Sequence, residues 1–164
     1  MKKRFFWLLL PATVLALDLS SKAWIVKTLP EGESRVVIPG FFHLTLCFNR
    51  GAIFGSLTWL PDGARIVLFA VAGLVALGFF GRYFLAKDTP SWDRVALGFI
   101  LGGALGNGVD RLMRGAVVDF LDFIFWHWHY WAFNLADSFI LVGAILYGLR
   151  VFLAPKSAEG SRAA

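Results

Sequence analysis

Four separate stretches of this chain, about 5–24, 65–84, 92–110 and 133–152, are each apolar over the ~20 residues that an α-helix needs to cross ~30 Å of hydrocarbon. Inside such a layer a segment must satisfy its own backbone N–H and C=O groups, so each stretch is predicted to be a helix. Hydrophobic residues make up 58% of the 164 positions and charged residues only 16%, which excludes an ordinary soluble domain. The fold class expected is an all-α integral membrane protein, a single membrane domain of four transmembrane helices. Four crossings return both termini to one side, and the positive charges say which. Lys2, Lys3 and Arg4, then Arg82, Lys87 and Arg94, then Arg150, Lys156 and Arg162 all fall on one face, which is therefore expected to be cytoplasmic. The net charge of +5 reads as topology and contact with anionic membrane lipid, with no nucleic-acid partner. The start "MKKRFFWLLLPATVLAL" also has the charged head and apolar middle of a secretory signal peptide. No A-x-A site closes that run, and Asp18 follows it, so an uncleaved first helix is the expectation.

Two connections, 25–64 and 111–132, then lie outside the cytoplasm. In the first, 36–38 and 41–48 are β-branched or aromatic runs broken by Pro39 and Gly40, which predicts a small extracytoplasmic β-sheet element at the membrane surface. The second is dense in aromatic residues, which suit the interface because a ring meets acyl chains while its polar edge stays wet. The tail 155–164 is small and polar and expected to be disordered. Cys47 stands alone, so no disulfide framework holds the outer segments, and it is read as a small buried hydrophobe.

The polar residues inside the apolar stretches carry more information, because a charge at that depth costs at least ~2.5 kcal/mol. Asp18 stands 14 residues past Arg4, Asn107 stands 13 past Arg94, and Asp137 stands 13 before Arg150. At ~1.5 Å per residue all three lie roughly 20 Å from the cytoplasmic face, close to the outer interface. The second stretch has no charged or amide residue between Ile66 and Gly81 and serves as the control. Taken singly, each polar group has a structural reading. Asp18 and Lys22 can pair at i,i+4. Asn107, Asp110 and Arg111 in "GNGVDR" can end the third helix, and Asn134 with Asp137 in "FNLADS" resembles a capping box.

A second carboxylate on the same outer side changes the weighing. Asp119 in "AVVDF", or equally by spacing Asp122, can fold back to face Asp137. Two carboxyls in one confined site do not readily both ionise, so the pair holds a single proton and can act as base toward a water and acid toward an amide nitrogen. Other chemistries are weaker. "HWH" (residues 127–129) has the i,i+2 spacing of two metal ligands but no partners to complete a site, Cys47 with His43 lacks an orienting group, and neither a metal nor a cofactor is expected.

Together, "DLSSK", "NRGAIF", "LGGALGNGVDR", "VVDF" and "FNLADS", in this order over residues 18–138, resemble the bacterial lipoprotein signal peptidases (signal peptidase II), which are intramembrane aspartic proteases. The resemblance implies Asp119 and Asp137 as the catalytic pair. It implies Asp18, Lys22, Asn49, Gly51, Asn107, Asp110, Arg111, Asn134 and Ala136 as substrate-binding or supporting residues. Two departures are mild: Ile53 stands where a small residue is common, and Gly108 where a bulkier apolar residue is usual. The implied substrates are prolipoproteins carrying a diacylglyceryl-cysteine, cut just before that cysteine by a monomer in the bacterial inner membrane, with the active site near the outer face. The competing classes are a small proton-linked membrane transporter, which needs polar groups along the whole depth of a pathway, and a membrane assembly protein.

Overall fold

The computed structural model describes residues 6–51, 59–125, 128–129 and 131–153; the expected disordered tail and His127 of "HWH" lie outside them. In chain order the elements are α1 (Leu9–Thr28), β1 (Ser34–Ile38), β2 (Phe42–Asn49), α2 (Asp62–Leu85), α3 (Ser91–Arg114), β3 (Val117–Phe125), β4 (Trp128–His129) and α4 (Leu135–Leu153). Three of the helices, α1, α2 and α4, are long and apolar enough to cross a membrane. The fourth long helix, α3, is diluted by glycines and by Asn107, and it packs against each of the other three. Its polar and small residues therefore face protein, and the apolar side chains of α2 and α4 form the outside.

The close approach has a sequence cause. Gly98, Gly102 and Gly106 repeat at i,i+4 along α3 and meet Leu10, Val14 and Asp18 of α1 in that order, so these two helices run in the same direction. A Cβ on Gly102 would stand 2.6 Å from Val14 Cβ and 2.8 Å from the Pro11 carbonyl oxygen. On the opposite face Gly103 meets Ala136 and Ile140, while Gly143 meets Ala96, Phe99 and Ile100, which makes α4 antiparallel to α3. Small residues that let backbones touch are the usual means of helix association where burial from water supplies no drive.

The sheet is larger than the sequence suggested and is shared between the two connections. Its four antiparallel strands follow the order β1-β2-β3-β4, and the long β3 comes from the aromatic second segment. "VVDFLDFIF" is rich in the β-branched and aromatic residues that suit a half-buried pleated surface. Ile25 near the end of α1 packs with Leu46, Val118 and Phe120, seating the sheet on the helices. That contact also explains why α1 continues to Thr28, past its expected end near residue 24. Cys47 is exposed, a correction to its reading as a buried hydrophobe: it lies opposite Asp119 on the sheet face turned away from this core, and its neighbour Leu46 takes the buried place. At the far end of the bundle Asp93 accepts a hydrogen bond from Tyr83 Oη (2.7 Å) and is ion-paired with Arg150 (Nε to Oδ1, 2.9 Å), joining α2, α3 and α4.

Replacing Gly102 with Val is expected to lower stability by about 1–3 kcal/mol through overpacking against α1. Gly78→Ala, where nothing lies within 4 Å, is expected to leave stability unchanged or slightly raised. Thermal unfolding in detergent micelles measures both, and equal losses would contradict the packing described.

Candidate active site

The site forms where α1, α3, α4 and the sheet meet. Asp119 follows Val118 in β3, and its carboxylate is nearly enclosed, at 2% exposure. Asp122 is three residues further along the same strand, and strand alternation turns it to the opposite face, where Thr45 Oγ1 donates to it (3.1 Å). This separates the two candidates that spacing left equal. Asp119 Oδ2 accepts from Asn49 Nδ2 (2.9 Å) and Oδ1 from Asn134 Nδ2 (2.6 Å). Gly51, buried beside them, donates its N–H to Asn49 Oδ1 (3.0 Å) and so turns the Asn49 amide nitrogen toward Asp119.

Asp137 sits in the first turn of α4. The capping box is present: Asp137 N–H donates to Asn134 Oδ1 (2.9 Å), and Asn134 N–H reaches back to Asp137 Oδ2 (3.4 Å). Asp137 Oδ1 accepts from Asn107 Nδ2 (2.7 Å), and Asn107 Oδ1 accepts from Asn134 Nδ2 (3.2 Å). Asn134 thus touches both carboxylates' surroundings at once, which makes the cap part of the link between Asp119 and Asp137.

Behind this layer lies a buried charge cluster. Lys22 Nζ contacts Asp18 Oδ2 (2.8 Å), Asp110 Oδ2 (3.1 Å) and Asn107 Oδ1 (2.9 Å). Asp18 Oδ1 accepts the N–H of Ala136 (2.9 Å), and Asp110 Oδ2 accepts the N–H of Val118 (3.1 Å). Each carboxylate therefore holds the backbone of the residue just before Asp137 or Asp119. Ala136 is fully buried, and its carbonyl lies so close to Gly103 that position 103 has no room for a side chain. Arg111 donates to the Asn107 carbonyl (3.4 Å) and lies over the Phe69 ring of α2, 4.4 Å from its centre. Arg114 completes the cluster through Asp110 Oδ1 (3.3 Å). All eleven residues singled out in the sequence are thus gathered here.

Burial pushes the Asp119 carboxyl up to about 6. The hydrogen bond from Asn49 opposes that shift, the charge of Asp137 adds to it, and Asn134 and Lys22 oppose it. Because the folded value is raised, the stability from this group is complete below the unfolded value of about 4 and is lost as pH rises through about 6. Among the described residues no cluster of His, Cys, Asp and Glu has the arrangement of a metal site. The sequence reading missed the Ser34, Thr45 and Asp122 hydrogen-bond chain on the other sheet face and the Asp93 junction at the far end of the bundle. Thr45 was visible only as a polar position in a β-prone run and Asp122 only as a rival to Asp119, and their pairing needs a strand register that spans 77 residues.

Comparison with known proteins decides the family. The family described as Signal peptidase (SPase) II matches residues 10–153. The chain belongs to the signal peptidase II family. A lipoprotein signal peptidase of Serratia proteamaculans is 41% identical over 155 residues, covering 93% of this chain and 91% of that protein. Those of Aeromonas hydrophila (40%; 93% and 92% covered) and Pseudomonas aeruginosa (38%; 96% and 94% covered) are similar over comparable lengths. A bacterial membrane enzyme solved by the in meso method at 2.3 Å superposes with a TM-score of 0.81 at 30% identity, covering 94% of this chain and 93% of that one. Membership of this family makes the chain a membrane-embedded peptidase.

Asp110→Ala breaks the buried contacts to Lys22 and to the start of β3 and is expected to cost about 3–5 kcal/mol. Asp62→Ala, which removes an ion pair between Arg65 and a 70% exposed carboxylate, is expected to cost at most about 1 kcal/mol. Unfolding midpoints of the two variants test the contrast, and a mild effect at Asp110 would show that the cluster does not hold β3.

Proposed function

We propose that this peptidase is an aspartic endopeptidase that removes signal peptides from prolipoproteins, cutting the amide bond just before a diacylglyceryl-modified cysteine, with Asp119 and Asp137 as its catalytic pair. The observation that carries the reading is Asn134, whose amide donates to Asp119 while its oxygen receives the Asp137 N–H. One side chain thereby links the two carboxylate-bearing segments, β3 and the first turn of α4. In this mechanism Asp119, enclosed and raised to about 6, is the acid, and Asp137 is the base. Asp137 takes a proton from a water as that water attacks the scissile carbonyl carbon. Asp119 gives its proton as the carbon–nitrogen bond breaks, leaving a carboxylic acid on the signal peptide and an amine on the lipidated cysteine. Asn49, Asn134 and Arg111 position the substrate backbone. The names of the relatives support the substrate class.

In the same reading α1 to α4 are four crossings of the bacterial inner membrane, with both termini cytoplasmic, the site near the outer face, and the protein working as a monomer. The parallel α1–α3 and antiparallel α3–α4 packing supports alternate crossings, with the three positive clusters on one side. The acyl-bearing substrate then reaches the site laterally through lipid. A proton-linked transporter is disfavoured, because residues 9–17, 66–81, 95–106 and 138–149 contain no Asp, Glu, Lys, Arg or His to carry a pathway through the bilayer.

Asp119→Asn and Asp137→Asn are each expected to fold and to lose cleavage of a diacylglyceryl-modified prolipoprotein by at least about 10³-fold. Cleavage at near-normal rate by either variant would remove that residue from the pair. In the wild type, kcat/KM is expected to fall as pH rises through about 6, because the proton held by Asp119 is then lost. The corresponding limb of kcat is expected at higher pH, since bound substrate further excludes water. A wild-type profile that is flat through this range would contradict the role given to Asp119.

A further inference from the structure

Each amide that donates to a catalytic carboxylate has its own oxygen held by a group that can only donate. Gly51 N–H holds Asn49 Oδ1 and Asp137 N–H holds Asn134 Oδ1. For Asn107 the main holder is the ammonium of Lys22, at 2.9 Å from Oδ1, with Asn134 Nδ2 a longer second donor at 3.2 Å. Turning any of these amides over would set an NH2 group against an N–H or NH3+ donor, neither of which accepts. The first two holders are backbone groups, fixed by the fold. The third is a side chain on a different helix, and it is removable.

Lys22 is also enclosed. Its ammonium donates to Asn107 Oδ1 and is ion-paired with Asp18 and Asp110. At 1% exposure it is closed off from substrate, and none of these contacts is to either member of the pair. Its route to the chemistry runs through Asn107, whose Nδ2 donates to Asp137 Oδ1 at 2.7 Å. We propose that Lys22 is a positioning residue for the peptidase reaction: it locks the Asn107 amide in the one orientation that presents a donor to Asp137, keeping that carboxylate ionised and aimed. Without the ammonium only the longer bond from Asn134 Nδ2 holds the Asn107 oxygen, and the amide can turn that oxygen toward Asp137, a contact that is unfavourable to a carboxylate serving as base. The proposal rests on the reading of Asp119 and Asp137 as the catalytic pair.

A double-mutant cycle on the full-length protein in lipid nanodiscs tests it, with kcat and KM measured separately on a diacylglyceryl-modified prolipoprotein peptide. Lys22→Met and Asn107→Ala are each expected to lower kcat about 10²-fold with KM little changed, as for loss of one preorganised donor. The double variant is expected to be no slower than Asn107→Ala alone, because both act through one amide. Lys22→Met leaves two buried carboxylates unbalanced, so the cycle is repeated in an Asp18→Asn background, with unfolding midpoints recorded. Asn107→Asp gives a second, independent arm. It keeps the side-chain shape and the bond from Lys22 but turns an oxygen to Asp137, and it is expected to be as slow as Asn107→Ala, with its unfolding midpoint recorded alongside. Losses that multiply in the double variant, a loss confined to KM, or wild-type kcat in Asn107→Asp would overturn the proposal. Asp119→Asn is measured alongside. If it cleaves, the catalytic-pair reading itself fails; if it is inactive while Lys22→Met keeps wild-type kcat, only the role of Lys22 fails.

Discussion

A lysine ammonium buried among three acceptors is the interaction on which the rest of this structure depends. At the depth of Lys22 a lone cation is costly, and its neutralisation by Asp18 and Asp110 is what allows it to stay. The two carboxylates then do more than balance charge. One accepts the N–H of Ala136 and the other the N–H of Val118, so the backbone just before Asp137 and just before Asp119 is fixed to the same cation. The position of Asp119 relative to Asp137 is therefore set by a cluster that contains neither.

Such a cluster of short side chains forms only if the helices approach closely. Aspartate and asparagine reach a few ångströms from their backbone, and the stripe of Gly98, Gly102 and Gly106 removes the side chains that would hold α1 away from α3. At Gly106 any Cβ would collide with the Asp18 carboxylate, so the last glycine of the stripe makes space for the first acid of the cluster. The helix least suited by composition to face lipid is the one the others surround, and its polar residues line the site.

The sequence carried much of this, unevenly. Length and apolarity located the helical stretches, and a ruler of ~1.5 Å per residue placed Asp18, Asn107 and Asp137 in one layer, where hydrogen bonds now join their neighbours and themselves. The capping box of Asn134 and Asp137 was readable because it is local. The choice between Asp119 and Asp122 was not, since it turns on which face of β3 each occupies, and β3 is defined by pairing with β2 some 70 residues earlier. The exposure of Cys47 followed from the same unread register. Non-local pairing, rather than composition, marks where sequence reasoning stopped.

The central claim is that Asp119 and Asp137 share one proton, with Asp119 its holder. Titration of the Asp119 carboxyl by 13C NMR in specifically labelled protein measures this directly. An inflection near 6 is expected, moving down when Asp137 is replaced by Asn, because the neighbouring charge that helps to raise it is gone. An inflection in the ordinary carboxylate range, unmoved by that substitution, would contradict it.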